Sequence, residues 1–346
     1  MFTCRALCEY PLFFLRLSSS HSCTTIIVNS FLAPRARRDL SQDAAVDDRT
    51  QRLCAVPAVD IFIAGFVCKS VSMQNARRGE AKDCIREASG LTGVTFQGIV
   101  EYVKAKRPPV VILENVRGLT VGNLERPPVI RDVEKVFHQN DYAFAWRILN
   151  TWDFLLPQRR NRCWMWAFRG RRNQSAAERA GDIISGLGQE QKFWKMADLF
   201  HQVQARPAQP SKKKLTVRER DVVKEVRKQV PRNLRSGLVV DVGQSVGRGH
   251  FCVNGASPCL LPNSKIQFAF KAGKSIKRRI LGIEELMALQ GLFREDFPAL
   301  SAWATEHRVL SRDLLGNAFT TTVLMAVSVG VCAEGPLRGS ATRAGA

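Results

Sequence analysis

The sequence predicts an α/β protein built on a largely parallel sheet. Three observations carry that prediction. Between residues 58 and 168, short unbroken apolar runs alternate with amphipathic segments of ten residues or more. The apolar runs are rich in Val, Ile, Leu and Phe, as strands covered on both faces must be. With 346 residues, 45% of them hydrophobic, the chain can bury a real core in one large domain or two.

Taken in order, "VDIFIAG" (59–65) reads as a buried strand and "VTFQGIVEYVKAK" (94–106) as an amphipathic helix. "PPVVILENV" (108–116) is a second strand, "PVIRDVEKVFHQN" (128–140) a second helix, and "YAFAWRILN" (142–150) and "RCWMWAF" (162–168) are further strands. From Gly170 to about Lys277 the chain is basic, Pro-containing and punctuated by glycine, as a small lobe with strands of its own would be. "IEELMALQGLF" (283–293) reads as a short helix closed by Gly291, and "GNAFTTTVLMAVSVGV" (316–331) as an apolar helix begun by Asn317. No internal repeat is present.

Fifty-two Lys and Arg against 31 Asp and Glu give a net charge of +21, and the pI is about 10.1. Such an excess favours a polyanionic partner, of which nucleic acid is the commonest. Ten scattered cysteines without a C-x-x-C pair argue for reduced thiols, no structural zinc and no other metal. The sequence offers no apolar span of the ~20 residues a membrane helix needs, so no membrane partner is expected. Residues 1–38 hold several Arg and Ser and one acid, the composition of a transit-like leader.

In open α/β sheets, ligands bind beyond the carboxyl ends of the strands. Cys68 lies there, past the first apolar run and beside Lys69, where a thiol can serve as a nucleophile. Glu114 ends the next strand, where a carboxylate is costly unless it is tied down or used as an acid. Gln158, Arg160 and Arg162 precede another strand, well placed to fix a carboxylate or a phosphate. "AGKS" (272–275) is no phosphate-binding loop, because the glycine required five positions before Gly273 is Phe268.

The order of these pieces resembles the C5-cytosine methyltransferases. The family's cysteine loop appears as "GFVCKSVS" and its Glu-Asn-Val as Glu114, Asn115 and Val116. Its Gln-x-Arg-x-Arg is Gln158, Arg160 and Arg162. Its Arg-x-Leu…Glu…Leu-Gln-Gly element is Arg279, Leu281, Glu285, Leu289, Gln290 and Gly291, and its closing Gly-Asn is Gly316 and Asn317. The resemblance covers residues 58–331 and implies a Rossmann-like methyltransferase sheet with a small, irregular, partly β target-recognition lobe. It implies DNA (cytosine-5-)-methyltransferase activity with S-adenosyl-L-methionine, on a cytosine reached by base flipping.

Carried over position by position, Cys68 adds to C6 of cytosine, Glu114 protonates or hydrogen-bonds N3, and Arg160 and Arg162 orient base and acid. Asp60, Gly65 and Asn317 contact the methyl donor; Lys69, Ser72, Asn115, Gln158 and Gln290 serve the DNA side. The implied partner is cytosine-containing DNA, and the protein is expected to be a nuclear monomer. The N-terminal composition leaves an organelle as the alternative address.

Three departures stand out. Val67 replaces the family's proline, and Lys69 its glutamine. The glycine-rich turn that opens the family's donor site has no counterpart, since Gly65 is the first glycine in the chain. The sheet is therefore expected to be N-terminally incomplete, with an exposed edge, and the activity of this chain stays open. Two other readings keep the same residues: a catalytically silent nucleic-acid-binding remnant, and a tRNA cytosine-5 methyltransferase. The expected division is a leader at 1–55, a catalytic domain at 56–169 and 278–333, a recognition lobe at 170–277, and a disordered tail at 334–346.

Overall fold

The computed structural model describes residues 3–6, 15–18, 24–29, 44–46, 53–73, 75, 83–122, 127–189, 195–202, 215–247, 250–253, 255–272 and 274–336. In chain order the strands are β1 (Thr3–Ala6), β2 (Leu15–Ser18), β3 (Thr24–Asn29), β4 (Ala44–Val46), β5 (Leu53–Ala55), β6 (Ile61–Gly65), β7 (Val110–Val116) and β8 (Tyr142–Asn150). They continue as β9 (Gln158–Arg159), β10 (Asn161–Arg169), β11 (Val239–Asp241), β12 (Phe251–Cys252), β13 (Ser257–Pro258), β14 (Ile266–Ala272) and β15 (Ser275–Ile280). The helices are α1 (Gly90–Lys106), α2 (Ile130–Gln139), α3 (Gln174–Gln189), α4 (Met196–Gln202), α5 (Val217–Gln229), α6 (Ile283–Ala288), α7 (Pro298–Glu306), α8 (Arg308–Asn317) and α9 (Thr321–Glu334). The chain divides into two compact units, one of Met1–Ile148, Arg162–Ser185 and Val327–Ala346, the other of Leu149–Asn161 and Gly186–Ala326.

The first unit is organised by a seven-stranded sheet in the order β1-β2-β3-β6-β7-β10-β8. β3, β6 and β7 run parallel, whereas β10 runs antiparallel to β7, so the sheet is mixed rather than largely parallel. Every residue of β6 is buried, as is β7 up to Asn115, which is why both read as unbroken apolar runs. α1 turns Phe96, Ile99, Val100 and Val103 onto this sheet, the i, i+3, i+4, i+7 spacing of one helical stripe. Burial of Phe62, Tyr102, Leu113, Phe137 and Met165 completes the core, with Phe62 and Tyr102 stacked at 4.3 Å.

The slot beside β6 differs from the sequence expectation. It is no bare edge: β3 fills it, pairing in register from Thr25 opposite Ile61 to Asn29 opposite Gly65. Two further antiparallel strands, β2 and β1, extend the sheet outward. "TTIIVN" (24–29) is short, set among Ser and Cys, and carries no glycine turn to mark it as a central strand.

The second unit has a four-stranded sheet, β12-β11-β14-β15, so the run containing "AGKS" is a hairpin. α5 begins with a capping box: Glu219 N donates to Thr216 Oγ1 at 3.3 Å and Thr216 N donates to Glu219 Oε2 at 2.9 Å. Burial pushes the Glu219 carboxyl up, but hydrogen bonds from Lys265 and the Thr216 N–H outweigh it and hold the carboxyl below its usual value. α6 stops at Ala288, and Gly291 then turns the chain at φ +76°, the turn expected for it. Asn317 does not begin the last helix. It closes α8, donating its side-chain amide to Asp313 O at 2.9 Å, and α9 starts only at Thr321.

One membrane expectation changes as well. By length and composition the stretch Arg308–Glu334 is apolar enough to cross a membrane, with a mean hydropathy of 1.6 in its most apolar window. Extended backbone at Ala318 (φ −67°, ψ 153°) divides that stretch into α8 and α9. Of the expected tail, residues 337–346 lie outside the described residues.

Candidate active site at the carboxyl ends of β6 and β7

Cys68 follows β6 by three residues and is half-buried. Its carbonyl accepts from the N–H groups of Val71 (3.1 Å) and Ser72 (2.9 Å), closing a tight turn around the thiol-bearing residue. The loop is held on both sides by hydroxyl groups of α1. Val67 N donates to Thr95 Oγ1 and Ser70 N donates to Thr92 Oγ1, each at 3.1 Å. These bonds replace the rigidity that a proline at position 67 would supply. Asn115 reaches across from β7 and donates to Phe66 O at 3.0 Å, and Asn75 donates to Lys69 O at 2.9 Å. Lys69 itself is exposed and Ser72 half-buried.

A close approach adds a further constraint. The turn of 3-10 helix at Arg117–Thr120 packs so tightly on the loop that a Cβ on Gly118 would lie 1.9 Å from Val71 O. Thr92, Thr95 and Gly118 thus shape the cysteine loop, and sequence reasoning missed all three. Their only signal is a pair of threonines three apart at the start of a helix.

Glu114 is buried on β7 and faces Arg162 of β10, with 3.0 Å between Arg162 Nε and Glu114 Oε1. Only 14% of the Arg162 side chain and 11% of the Glu114 side chain is exposed, so the pair is shielded from solvent screening. The register explains the pairing. Trp164 stands opposite Glu114, which places Arg162 on the same face as its diagonal neighbour. On the other flank Glu114 is opposite Gly65, where no side chain intrudes. Cys163, on the reverse face of β10, is inert by contrast: burial and then the Glu114 charge push its thiol well up. Burial also raises the Cys84 thiol.

The structure therefore brings Cys68, Asn115, Glu114 and Arg162 together at one end of the sheet. Asp60 is at the other. It precedes β6, is buried, and its carbonyl accepts from Val110 N at 3.1 Å. Five strand residues separate it from the carboxyl end marked by Gly65, about 16 Å at the usual rise.

Gln158, Arg160, Gln290 and Asn317 belong to the second unit. Gln158 is fully buried; it donates to Leu289 O (2.7 Å) and accepts from Leu260 N (3.1 Å). Arg160 is 2% exposed, its Nη1 donating to Leu260 O (2.9 Å) and Gly316 O (3.1 Å) and its Nη2 to Ala318 O (2.8 Å). Gln290 donates to Leu315 O (2.6 Å) and accepts from Thr320 Oγ1 (3.0 Å), while Thr151 Oγ1 donates on to Thr320 Oγ1 (3.1 Å). Arg279 and Glu285 form a buried ion pair, and the same carboxylate caps α6 through Gly282 N. These residues tie together segments far apart in sequence. Among the described residues no cluster of three or more His, Cys, Asp or Glu could hold a metal ion.

The donor site can be tested on β3, which fills the slot beside β6 that the missing glycine-rich segment was expected to leave open. After Asn29 the chain reads Ser-Phe-Leu-Ala-Pro, and no glycine occurs before Gly65. A methyl-donor nucleotide seated at that strand end needs the close backbone approach only glycine allows. The residues present do not fit it.

Comparison with known proteins agrees with the arrangement. Residues 38–329 match the model of the C-5 cytosine-specific DNA methylase family. The chain is 30% identical over 114 residues to the type II methyltransferase M.HhaI of Haemophilus parahaemolyticus, covering 33% of this chain and 32% of that one. It is 35% identical over 113 residues to M.NgoBI of Neisseria gonorrhoeae, with the same coverage. A DNA (cytosine-5-)-methyltransferase, DMT5, of Cryptococcus neoformans is 36% identical over 109 residues, which are 32% of this chain and 4% of that protein. The aligned part thus spans about a third of the length of the first two relatives. With the family model matched over most of its length, the chain belongs to the C-5 cytosine-specific DNA methylases.

Proposed function

We propose that the chain engages cytosine in DNA and activates its ring by covalent addition at Cys68, the first half of cytosine-5 methylation. The observation that carries this reading is the nucleophile and the acid on adjacent parallel strands, Cys68 three residues beyond β6 and Glu114 opposite its last residue.

The thiolate of Cys68, its proton lost to solvent, attacks C6 of a base held outside the stack. The S–C6 bond forms as the C5=C6 pair shifts toward N3, which takes a proton from Glu114; C5 becomes enamine-like. A proton from water then adds at C5. Loss of either C5 proton, return of the N3 proton to Glu114 and expulsion of the thiolate restore cytosine with its C5 hydrogen exchanged. Arg162 holds the Glu114 carboxyl in place. Arg160 holds the Leu260, Gly316 and Ala318 carbonyls together within the second unit. In the family S-adenosyl-L-methionine supplies a methyl group to the activated C5. Residues 170–277 would serve target recognition, and the basic composition supports phosphate contacts that position a duplex and a nuclear address.

The experiment is release of a C5 isotope label from cytosine in duplex DNA, run with and without S-adenosyl-L-methionine, alongside methyl transfer. Exchange without methyl transfer matches the residues present. Methyl transfer would mean that the chain rebuilds a donor site without glycine. Neither activity would leave a nucleic-acid-binding relative, the reading that the missing glycine turn favours. Gly118→Ala is expected to lower exchange roughly 100-fold by displacing the Cys68 loop, with the far-UV circular dichroism unchanged.

A further inference from the structure

At the opposite end of the strands from Cys68, the first unit carries a basic cavity that the proposed chemistry does not use. Arg107, Asp141, Arg169, Gly170, Arg171 and Arg172 line about 490 Å³. A neighbouring cavity of about 440 Å³ shares Arg171 and adds Arg131, Glu134, Lys135, His138 and Gln139, with Glu134 paired to Arg131 at 3.0 Å. The position follows from the register, since Phe168 pairs with Val110, the first residue of β7, and Glu114 lies toward its other end. At about 3.3 Å per residue, these two ends of the sheet are separated by roughly 15–20 Å.

The cavity is built rather than incidental. Three chain reversals meet there, at Arg107 (φ 49°), Asp141 (φ 62°) and Gly170 (φ 89°). Arg107 closes α1, lies over the Tyr142 ring at 5.3 Å, and donates through Nη1 to Asn140 O at 2.5 Å. Arg169 Nη1 donates to Arg107 O at 2.9 Å, and Gly170 N to Asp141 O at 2.7 Å. Asp141 Oδ1 accepts from Arg171 N at 3.2 Å, while its Oδ2 lies 3.5 Å from Arg107 Nη2. Asp141, the one acid lining the first cavity, is thus committed to fixing the turn. Arg171 and Arg172 are exposed, and among the described residues their guanidinium groups have no hydrogen-bond or ion-pair partner.

We infer that this track is a second nucleic-acid contact, taking the phosphate backbone of a duplex other than the one presented to Cys68. Two adjoining cavities joined through Arg171 exceed the length of a single phosphate group. Their lining holds Arg107, Arg131, Lys135, Arg169, Arg171 and Arg172 against two acids, Asp141 and Glu134, each of which is paired with an arginine, and this excess of cations suits a phosphate chain. Arginine forks match phosphate oxygens bidentately. The inference rests on the proposed DNA substrate, but not on the chemistry at Cys68.

The test measures duplex stoichiometry by sedimentation with a short labelled duplex, together with the salt dependence of binding. The wild-type chain is compared with Arg171→Gln/Arg172→Gln, and C5 exchange is followed in parallel. Two duplexes per wild-type chain, one per variant, and a salt slope smaller by about 2 in the variant are expected. Exchange is expected to be equal in both. Unchanged stoichiometry and slope would overturn the second contact, whatever exchange shows. Loss of the second duplex in a chain without exchange would support the contact while overturning the proposed chemistry. No duplex bound by either chain overturns both.

Discussion

In a C5-exchange assay, Cys68→Ser is expected to lower the rate by on the order of 1,000-fold or more, because the hydroxyl that replaces the thiol is far less acidic and less nucleophilic. The loop's bonds to Thr92, Thr95 and Asn115 use backbone groups of Ser70, Val67 and Phe66, and they survive the change. The variant should therefore melt within a degree or so of the wild type and still bind duplex. Glu114→Gln is the companion test. It keeps the size of the side chain but cannot give a proton to N3, so exchange should fall about 100-fold or more. Cys68→Ser retaining wild-type exchange would remove the nucleophile from the site and with it the covalent mechanism.

The second large effect is on stability. Arg160→Met removes the side chain that gathers the carbonyls of Leu260, Gly316 and Ala318, and leaves them without that donor in a buried setting. The cost is about 3 kcal/mol, a fall in melting temperature of roughly 6–12 °C for a unit of this size. Arg160→Lys separates charge from geometry. One ammonium cannot span carbonyls gathered by two Nη atoms, so lysine should recover little of the loss. A lysine variant as stable as the wild type would show that charge alone matters there.

These two sites also mark how far the sequence could be read. Cys68 and Glu114 were legible because both sit just past apolar runs, and parallel strands gather their chemistry at one end. Arg162 was legible as a clamp for Glu114 because strand register turns a spacing into a face. The same logic misleads for Gln158 and Arg160. Spacing of two predicts one shared face with Arg162, but the strand is interrupted at Arg160, between β9 and β10. What the side chains of Gln158 and Arg160 meet depends on residues about 100 and 150 positions later, which no local pattern encodes. β3 was missed for a related reason. Its place beside β6 is set by pairing, and its six residues carry too little periodicity to announce it.

The network from Thr151 to Thr320 has a consequence for synthesis. Its members are 169 residues apart, and Gln290 between them is fully buried. While the ribosome has yet to deliver Thr320, Gln290 lacks that hydroxyl partner, and Arg160 has no Gly316 or Ala318 carbonyl to meet. The second unit therefore closes only after residues 316–320 have emerged, and until then its polar interior stands open to water. A cut after Gly316 would remove Ala318 and Thr320 and with them part of the second unit's core.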